Sequence, residues 1–361
     1  MKIPFLDLSR IETSLKERLK ERFSEILEAG IFSGGKEVES FETSISTYLN
    51  SAHSVACANG TDALELTLRA LGIGRGDEVI VPAMTWVSTA EAVILAGAKP
   101  VFWDTDENGL LREDWEKAVK TKTKAVIPVH LYGKMVDMNP VMEKAKSLQL
   151  FVIEDAAQAF GSFQHGKAAG TWGDVGCLSF YPTKNLGALG EAGMCLTQNS
   201  EIASKIRLLL NHGQKTRDLH ELVGRNSRID TLQAAFLNVM LEDFERNQTK
   251  RKEIAESYLE AFSGISELTL PEGVLAKDHN VHLFVIQTRW RDELKKFLTE
   301  KGIGTAIHYP TILPDMKPYL QPGDFEKSRD LAWKGISLPL NPFLKEEEVG
   351  FVLDKVRLFF K

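Results

Sequence analysis

Apolar residues recur at helical spacing through the first fifty positions. Over residues 11–29 they fall on one helix face, with charged residues between them, and Gly30 follows as a stop signal. The same pattern returns over 36–49. The spacing therefore predicts two amphipathic helices ahead of the rest of the fold.

From residue 54 the pattern changes to short apolar runs that alternate with segments of helical periodicity. The runs predict strands at 54–58, 77–82, 99–104, 124–130 and 150–155. The segments between them predict helices at 61–71, 85–97, 112–120 and 139–149. This alternation indicates βαβ units, and the continuously apolar runs indicate strands covered on both faces. We therefore expect an α/β fold with a mostly parallel sheet flanked by helices.

The second half of the chain adds a different arrangement. Two further strands within 176–198 are joined by a loop that carries Lys184, and a long helical stretch follows at 229–261. After it the pattern predicts a strand, a helix, a short strand or extended segment at 304–310, and a closing helix. We place a domain boundary inside the long helix. The expected units are a large domain with an N-terminal arm, 1–245, and a smaller α+β domain, 246–361.

The composition limits the possible functions. Of the 361 residues, 43% are hydrophobic and 26% charged, and a net charge of −6 without a lysine–arginine block argues against nucleic-acid binding. No apolar run reaches the roughly 18 residues that span a bilayer, and the first twenty residues lack a signal-peptide core, so we expect a cytoplasmic protein. Three cysteines without CxxC spacing and eight histidines without ligand spacing predict neither disulfides nor a metal site.

The residues after the predicted strands are the candidates for chemistry, because ligands of open parallel sheets bind at the carboxyl ends of the strands. Gly60 and Thr61 follow the first strand and open a helix, where free N–H groups suit a phosphate. The alternative is that Thr61 only caps its own helix. Neither GxGxxG nor GxxxxGK[ST] occurs, which disfavours a dinucleotide fold and a P-loop.

Two charged residues follow later strands. Asp155 ends a buried run, where a carboxylate is costly unless paired, so it either caps a helix or holds a protonated ring nitrogen. Lys184 lies in the turn-rich stretch SFYPTKNLG, where it is either solvated or able to bond an aldehyde. A phosphate site, an acid for a ring nitrogen and a lysine for an aldehyde together match pyridoxal 5′-phosphate (PLP). Trp86 offers a flat face on which its ring could stack.

Several segments of the chain resemble one known family. They include ANGTDALELTLRALG, VIEDAAQAFGS, GDVGCLSFYPTKNLGALGEAGM and GRNSRIDTLQAA. They look like the DegT/DnrJ/EryC1/StrS family of PLP-dependent nucleotide-sugar aminotransferases, and the resemblance extends from residue 3 to about 342. It implies the aspartate-aminotransferase (type I) fold with a seven-stranded sheet. It also implies transfer of an amino group from an amino acid, such as glutamate, to a nucleotide-linked keto-sugar, for O-antigen, surface polysaccharide or related glycan synthesis.

The resemblance also implies roles for single residues around the cofactor. Lys184 would bond the cofactor aldehyde and later move a proton, and Asp155 would pair with the pyridine nitrogen. Gln158 would lie near the cofactor's 3-hydroxyl and Trp86 would stack on the ring. Gln158 also has a structural alternative as a residue at a helix start, and Trp86 as a core residue.

Further residues are implied at the phosphate and at the subunit interface. Gly60, Thr61 and Ser179 would hold the cofactor phosphate. Asn226 would reach it from the partner subunit, which requires a homodimer with the active site at its interface. The structural alternatives are an ordinary strand serine at Ser179 and turn chemistry at Asn226.

The stretch GTAIHYP resembles the family's IHYP segment, which implies that His308 and Tyr309 lie near the sugar nucleotide. The following TILPDMKPYLQP departs from the family's usual proline motif and histidine, so the sugar is left open. Two other functions remain as alternatives. A sugar dehydratase of the same fold carries histidine in place of the lysine, which Lys184 argues against. A catalytically silent sugar-nucleotide-binding or regulatory protein would not need an aldehyde-bonding lysine.

Overall fold

The computed structural model describes every residue from Met1 to Lys361. The α-helices, in chain order, are α1 (Thr13–Ala29), α2 (Lys36–Leu49), α3 (Gly60–Ala70), α4 (Ser88–Leu95), α5 (Met138–Leu148), α6 (Ser200–Leu209), α7 (Thr231–Leu241), α8 (Phe244–Phe262), α9 (Arg291–Glu300), α10 (Glu326–Lys334) and α11 (Glu346–Phe359). None of them combines the length and the apolarity that crossing a bilayer requires.

The strands are β1 (His53–Cys57), β2 (Glu78–Pro82), β3 (Lys99–Trp103), β4 (Thr123–Val126), β5 (Phe151–Asp155), β6 (Phe163–Gln164), β7 (Lys167–Ala168), β8 (Val175–Ser179), β9 (Gly193–Thr197), β10 (Gln214–Thr216), β11 (Leu219–His220), β12 (Phe284–Gln287) and β13 (Gly335–Leu338).

Seven strands form the main sheet, in the order β1-β9-β8-β5-β4-β2-β3. Six of them run in the same direction, and β9 alone is antiparallel to both of its neighbours. The apolar runs of β2 and β5 are buried because helices cover both faces of the sheet. The predicted α/β class with a mostly parallel seven-stranded sheet is confirmed.

The reversal at β9 positions the lysine loop. Because β8 and β9 are antiparallel neighbours, the chain between them, 180–192, turns at the carboxyl end of β8. The other parallel strands end at this same edge of the sheet. The loop with Lys184 therefore lies beside the residues that follow β1, β2 and β5.

The C-terminal elements have a core of their own. β12 pairs antiparallel with β13, and α9 and α11 pack with them. The second half of α8 joins this core through Ile254, Tyr258 and Phe262. This separate core supports a division near residue 245, and the boundary itself stays a prediction.

Two of the predicted elements are wrong in their form. The helix expected at 112–120 is only a four-residue 3-10 turn, Trp115–Ala118, because Asp114 accepts a 3.1 Å hydrogen bond from the Trp103 indole and Trp115 is buried. The long helix at 229–261 is two helices, α7 and α8. They part at Glu242 and Asp243, whose carboxylates are both held by Arg18 of α1.

The segment 304–310 contains no strand, which leaves the extended alternative. Its backbone pairs with the C-terminal sheet only at one bridge, between Ala306 and Ser337. The chain beyond it, up to α10, holds only two short 3-10 turns. This part of the molecule is fixed by few backbone hydrogen bonds.

Candidate active site

A cavity of about 790 Å³ opens at the carboxyl ends of the central strands. Nine of the ten predicted site residues line it: Gly60, Thr61, Trp86, Asp155, Gln158, Ser179, Lys184, His308 and Tyr309. They come from five separate stretches of the chain, which the sheet and the C-terminal unit bring together. The cavity is the candidate active site.

One end of the cavity is the start of α3. Asn59 caps this helix by accepting a 2.8 Å hydrogen bond from the Asp62 amide, so Thr61 is not the cap. Instead, the Thr61 hydroxyl donates to the Ser88 hydroxyl at 2.7 Å. A Cβ at Gly60 would lie only 2.7 Å from that of Ser179, so only glycine lets the helix start approach β8 this closely. The result is a narrow, N–H-rich end suited to an anion.

Asp155 is a buried carboxylate, and each of its two oxygens accepts one hydrogen bond. The Thr89 hydroxyl donates to Oδ2 at 2.7 Å, and the Ala157 amide donates to Oδ1 at 3.2 Å. No lysine or arginine forms an ion pair with it, yet the residue lines the cavity. A carboxylate held this way can accept a further hydrogen bond from an N–H group of a ligand.

Lys184 is held by a compact turn. Its amide donates to the Tyr181 carbonyl at 2.8 Å, and a Cβ at Gly187 would lie 2.5 Å from the Pro182 carbonyl oxygen, so the turn needs glycine there. The Nζ atom has no hydrogen-bond or ion-pair partner in the protein. Burial lowers the pKa of Lys184 to about 8, and the charge of Asp155 opposes part of this decrease. A large fraction of unprotonated amine is therefore present at mildly alkaline pH.

Gln158 and Trp86 form one wall of the cavity. Gln158 accepts a 2.7 Å hydrogen bond from the Tyr132 amide and donates at 3.1 Å to the Tyr309 hydroxyl. The Trp86 ring lies 5.4 Å from the Tyr309 ring, between centroids, and 54% of the residue is exposed. Trp86 is therefore not a core residue, and its face is open to the cavity.

His308 and Tyr309 also line the cavity, and Tyr309 lies beside Gln158 and Trp86. Nδ1 of His308 lies 2.8 Å from the Ser337 hydroxyl, and its backbone carbonyl accepts a hydrogen bond from the Tyr132 hydroxyl. Burial, together with the charge of Lys184, lowers the pKa of His308 to about 4, so the imidazole is neutral at pH 7. Burial raises the pKa of Tyr309, which keeps its hydroxyl protonated.

Asn226 is the predicted site residue that this chain does not bring to the cavity. It lies on the surface, in a backbone bridge with Asn211 near the end of α6. Its expected contact across a subunit interface stays a prediction.

Sequence reasoning missed a buried polar network centred on Asn280. The Asn280 side-chain amide donates to the backbone carbonyls of Gln158 and Phe160, both at 2.9 Å, and the backbone carbonyl of Asn280 accepts from the Asn185 side chain at 2.9 Å. The network thus ties Gln158 and the lysine loop to the C-terminal unit. The available signal was the polar pair Asn280 and His282 on either side of Val281, just ahead of β12.

The family comparison agrees with this geometry. The model of the DegT/DnrJ/EryC1/StrS aminotransferase family matches residues 13–357. The chain belongs to this family. The resemblance inferred from the sequence motifs is confirmed, and aminotransferases of this kind use PLP.

Several relatives are similar to this chain over nearly its whole length. A protein of Geobacillus stearothermophilus named pleiotropic regulatory protein is 39% identical, over 100% of this chain and 99% of its own. A UDP-N-acetyl-3-dehydro-alpha-D-glucosamine 3-aminotransferase of Acidithiobacillus ferrooxidans is also 39% identical, over 98% and 97%. Other relatives, at 36–38% identity, are named as aminotransferases or transaminases of UDP- or dTDP-linked sugars.

The family member also matches solved structures along its full length. The crystal structure of NtdA from Bacillus subtilis, with bound cofactor PMP, has a TM-score of 0.94 and 32% identity. The alignment covers 99% of this chain and 85% of NtdA. The type I aminotransferase fold is thereby confirmed.

Proposed function

We propose that this protein is a PLP-dependent transaminase that moves an amino group from an amino acid, L-glutamate, to a nucleotide-linked keto-sugar. The product would be an amino-sugar nucleotide for O-antigen, surface polysaccharide or related glycan synthesis. One observation carries the proposal: Lys184, Asp155 and the start of α3 line a single cavity. The names of the relatives supply the substrate class.

The residues present fit PLP in chemistry and in shape. The Lys184 amine matches the aldehyde, the Asp155 carboxylate matches a protonated ring nitrogen, and the α3 start matches the phosphate. Gly60 and Ser179 approach so closely that only glycine fits at the start of α3, and both residues line that end of the cavity. When bound, PLP supplies an electron sink for the carbon that loses or gains the amino group.

Each residue then has a definite task. The amine of Lys184 accepts and returns a proton at Nζ, which its pKa of about 8 suits at cellular pH. Asp155 keeps a hydrogen bond to a ring N–H and is itself held in place by Thr89. The amides at Gly60 and Thr61, with Ser179, hold a phosphate. Trp86 presents its exposed face to a ring.

The first test separates the proposal from its alternatives. Purified protein incubated with PLP should develop the visible absorbance of a lysine-bound cofactor, and Lys184→Ala should not. With a keto-sugar nucleotide and glutamate, the wild-type protein should yield an amino sugar, detected by mass spectrometry. Loss of oxygen without gain of nitrogen would indicate a dehydratase. Sugar-nucleotide binding without turnover would indicate a regulatory or binding protein.

Lys184→Ala also serves as a mechanistic test. The variant should lose transamination and still bind the nucleotide-sugar, because His308 and Tyr309 are unchanged. Transamination that persisted in this variant would refute the role proposed for Lys184.

We further propose that the protein acts as a homodimer in which Asn226 completes the partner's phosphate site. Mixed dimers of Lys184→Ala and Asn226→Ala test this directly. If Asn226 acts across the interface, one of the two sites in a mixed dimer has both residues intact, so activity returns on mixing. If Asn226 acts within its own chain, both sites stay damaged.

We also propose a cytoplasmic location. The three cysteines Cys57, Cys177 and Cys195 are free thiols, which suits a reducing compartment. Fractionation of cells that produce the tagged protein would test this.

A further inference from the structure

His282 shares the cavity with Lys184 and has no role in the function described so far. It lies just before β12, is 8% exposed, and lines the cavity together with Lys184 and His308. Its Nδ1 atom is 3.0 Å from Oδ1 of Asn185, the residue next to Lys184. This contact alone leaves open which of the two groups is the donor, because that depends on the orientation of the Asn185 amide.

The surrounding network fixes that orientation. Nδ2 of Asn185 lies 2.9 Å from the backbone carbonyl of Asn280 and 3.0 Å from Oε1 of Gln248. A carbonyl oxygen can only accept, so the Asn185 atom facing it must be the amide nitrogen. Gln248 is oriented in the same way, because its own amide nitrogen donates to the same Asn280 carbonyl. The Asn185 oxygen is therefore the atom that faces His282.

A fixed acceptor at Asn185 determines the tautomer of His282. Because Oδ1 of Asn185 can only accept, Nδ1 of His282 must carry the hydrogen. Burial lowers the pKa of His282 well below its usual value, and the charges of Lys184 and Arg251 act in the same direction. The ring is therefore neutral, and its Nε2 atom holds a lone pair.

His282 lines the cavity. Its Nε2 atom makes no hydrogen bond within the protein and is not fully buried. The charged and titratable groups that act most strongly on the pKa of the ring are Lys184, Arg251, His308 and His279, none of which is an anion. An unprotonated nitrogen in such surroundings complements an N–H or O–H donor.

We infer that His282 is a binding residue of this cavity, locked by Asn185 as the neutral Nδ1–H tautomer so that Nε2 accepts a hydrogen bond from a hydroxyl donor of a ligand. Lys184 lines the same cavity, but its Nζ atom makes no hydrogen bond with the ring. The donor is a hydroxyl group of the bound nucleotide-sugar, which rests on the proposed function, whereas the tautomer does not.

The tautomer can be measured on the unaltered protein. Nitrogen-15 spectra of histidine-labelled, cofactor-free protein distinguish the two neutral tautomers and the imidazolium, with His282→Asn used for assignment. The expected result is a neutral Nδ1–H ring at pH 7. An Nε2–H ring or an imidazolium would overturn the inference, whatever the outcome for the transaminase activity.

A second experiment tests the donor with His282→Asn, which keeps an amide near Asn185 and removes the Nε2 acceptor. Affinity for the nucleotide-sugar should fall about tenfold, while the pH midpoint for chemical labelling of the Lys184 amine should stay the same. An unchanged affinity would overturn the inference. His279→Asn, at a buried histidine outside this cavity, is the matched control and should leave the affinity unchanged.

Discussion

Thr89 of α4 donates its hydroxyl hydrogen to Oδ2 of Asp155 across 2.7 Å, and both residues are buried. The same hydroxyl lies 3.0 Å from that of Thr85, which must therefore be the donor to Thr89. The carboxylate at the end of β5 is thus held by a helix that follows β2. The orientation of Asp155 depends on this helix as much as on its own strand.

Replacing Thr89 with valine should show how much its hydrogen bond to Asp155 contributes to stability. The valine has the shape of threonine and no hydroxyl, so Oδ2 loses its donor in a buried place. We expect the free energy of unfolding of the cofactor-free protein to fall by about 1.5–3 kcal/mol, together with a weaker affinity for PLP. Urea unfolding and PLP titration measure the two effects. Thr89→Ser keeps the hydroxyl, and equal losses in both variants would contradict the explanation.

Gly60→Ala should damage the phosphate end of the cavity. The added methyl would meet the Cβ of Ser179 at 2.7 Å, so the helix start and β8 must move apart. We expect PLP affinity to fall at least roughly tenfold, equivalent to about 1.4 kcal/mol. Gly350→Ala is the control, because no atom lies within 4 Å of the added methyl.

The pKa of Lys184 predicts a pH dependence of stability. Its pKa is about 8 in the folded protein, against a usual 10.5 that we take for the unfolded chain. Between these values the unfolded chain binds more protons, so the contribution of Lys184 to stability rises as pH increases from 8 to 10.5. Below pH 8 the amine is protonated in both the folded and the unfolded state, and the burial of the ammonium lowers the stability of the folded protein by its full amount.

Lys184→Met makes this cost measurable in the cofactor-free protein. The variant should be more stable than the wild type at pH 7, because methionine carries no charge. We expect a difference of only about 1–2 kcal/mol, since Lys184 is only partly buried. The difference should shrink towards pH 10.5. Urea unfolding at pH 7 and at pH 9.5 provides the comparison. A difference independent of pH would show that packing, rather than charge, separates the two proteins.

Glu154→Gln should destabilise the loop that supports β5 and β8. The Glu154 carboxylate is fully buried and accepts hydrogen bonds from the backbone amides of Gly170, Trp172 and Gly173. One of its oxygens also lies 2.9 Å from Nε2 of His130. A glutamine would turn an N–H group towards donors. We expect a loss of about 3–5 kcal/mol in urea unfolding. Glu256→Gln, at an exposed position of α8, should change stability by less than about 0.5 kcal/mol.

The sheet and one side of the site could be predicted because their signals are local. Each strand is a continuous apolar run, and Asp155 and Lys184 follow their strands directly in the sequence. The helix predicted at 112–120 was wrong because the apolar spacing there has two explanations. It fits a helix, and it fits equally well an irregular segment anchored by one buried residue, Trp115.

The network around Asn280 could not be predicted for the opposite reason. Asn185 and Asn280 are 95 residues apart in the sequence, and no local sequence pattern near either residue indicates that they are in contact. Their hydrogen bonds exist only once the C-terminal unit has packed on the lysine loop. The same holds for the acceptor role inferred for His282, which depends on the orientation of two side-chain amides.

The two ends of the cavity differ in how freely they can evolve. The end at Asp155 and Gly60 is built from strands and helices with buried hydrogen bonds, where most substitutions cost stability. The wall at His308 and Tyr309 belongs to the sparsely bonded stretch that includes 304–310. Mutations in that stretch can reshape the wall without unfolding the sheet, so the side of the cavity proposed to bind the sugar can change while the side proposed to hold the cofactor is kept.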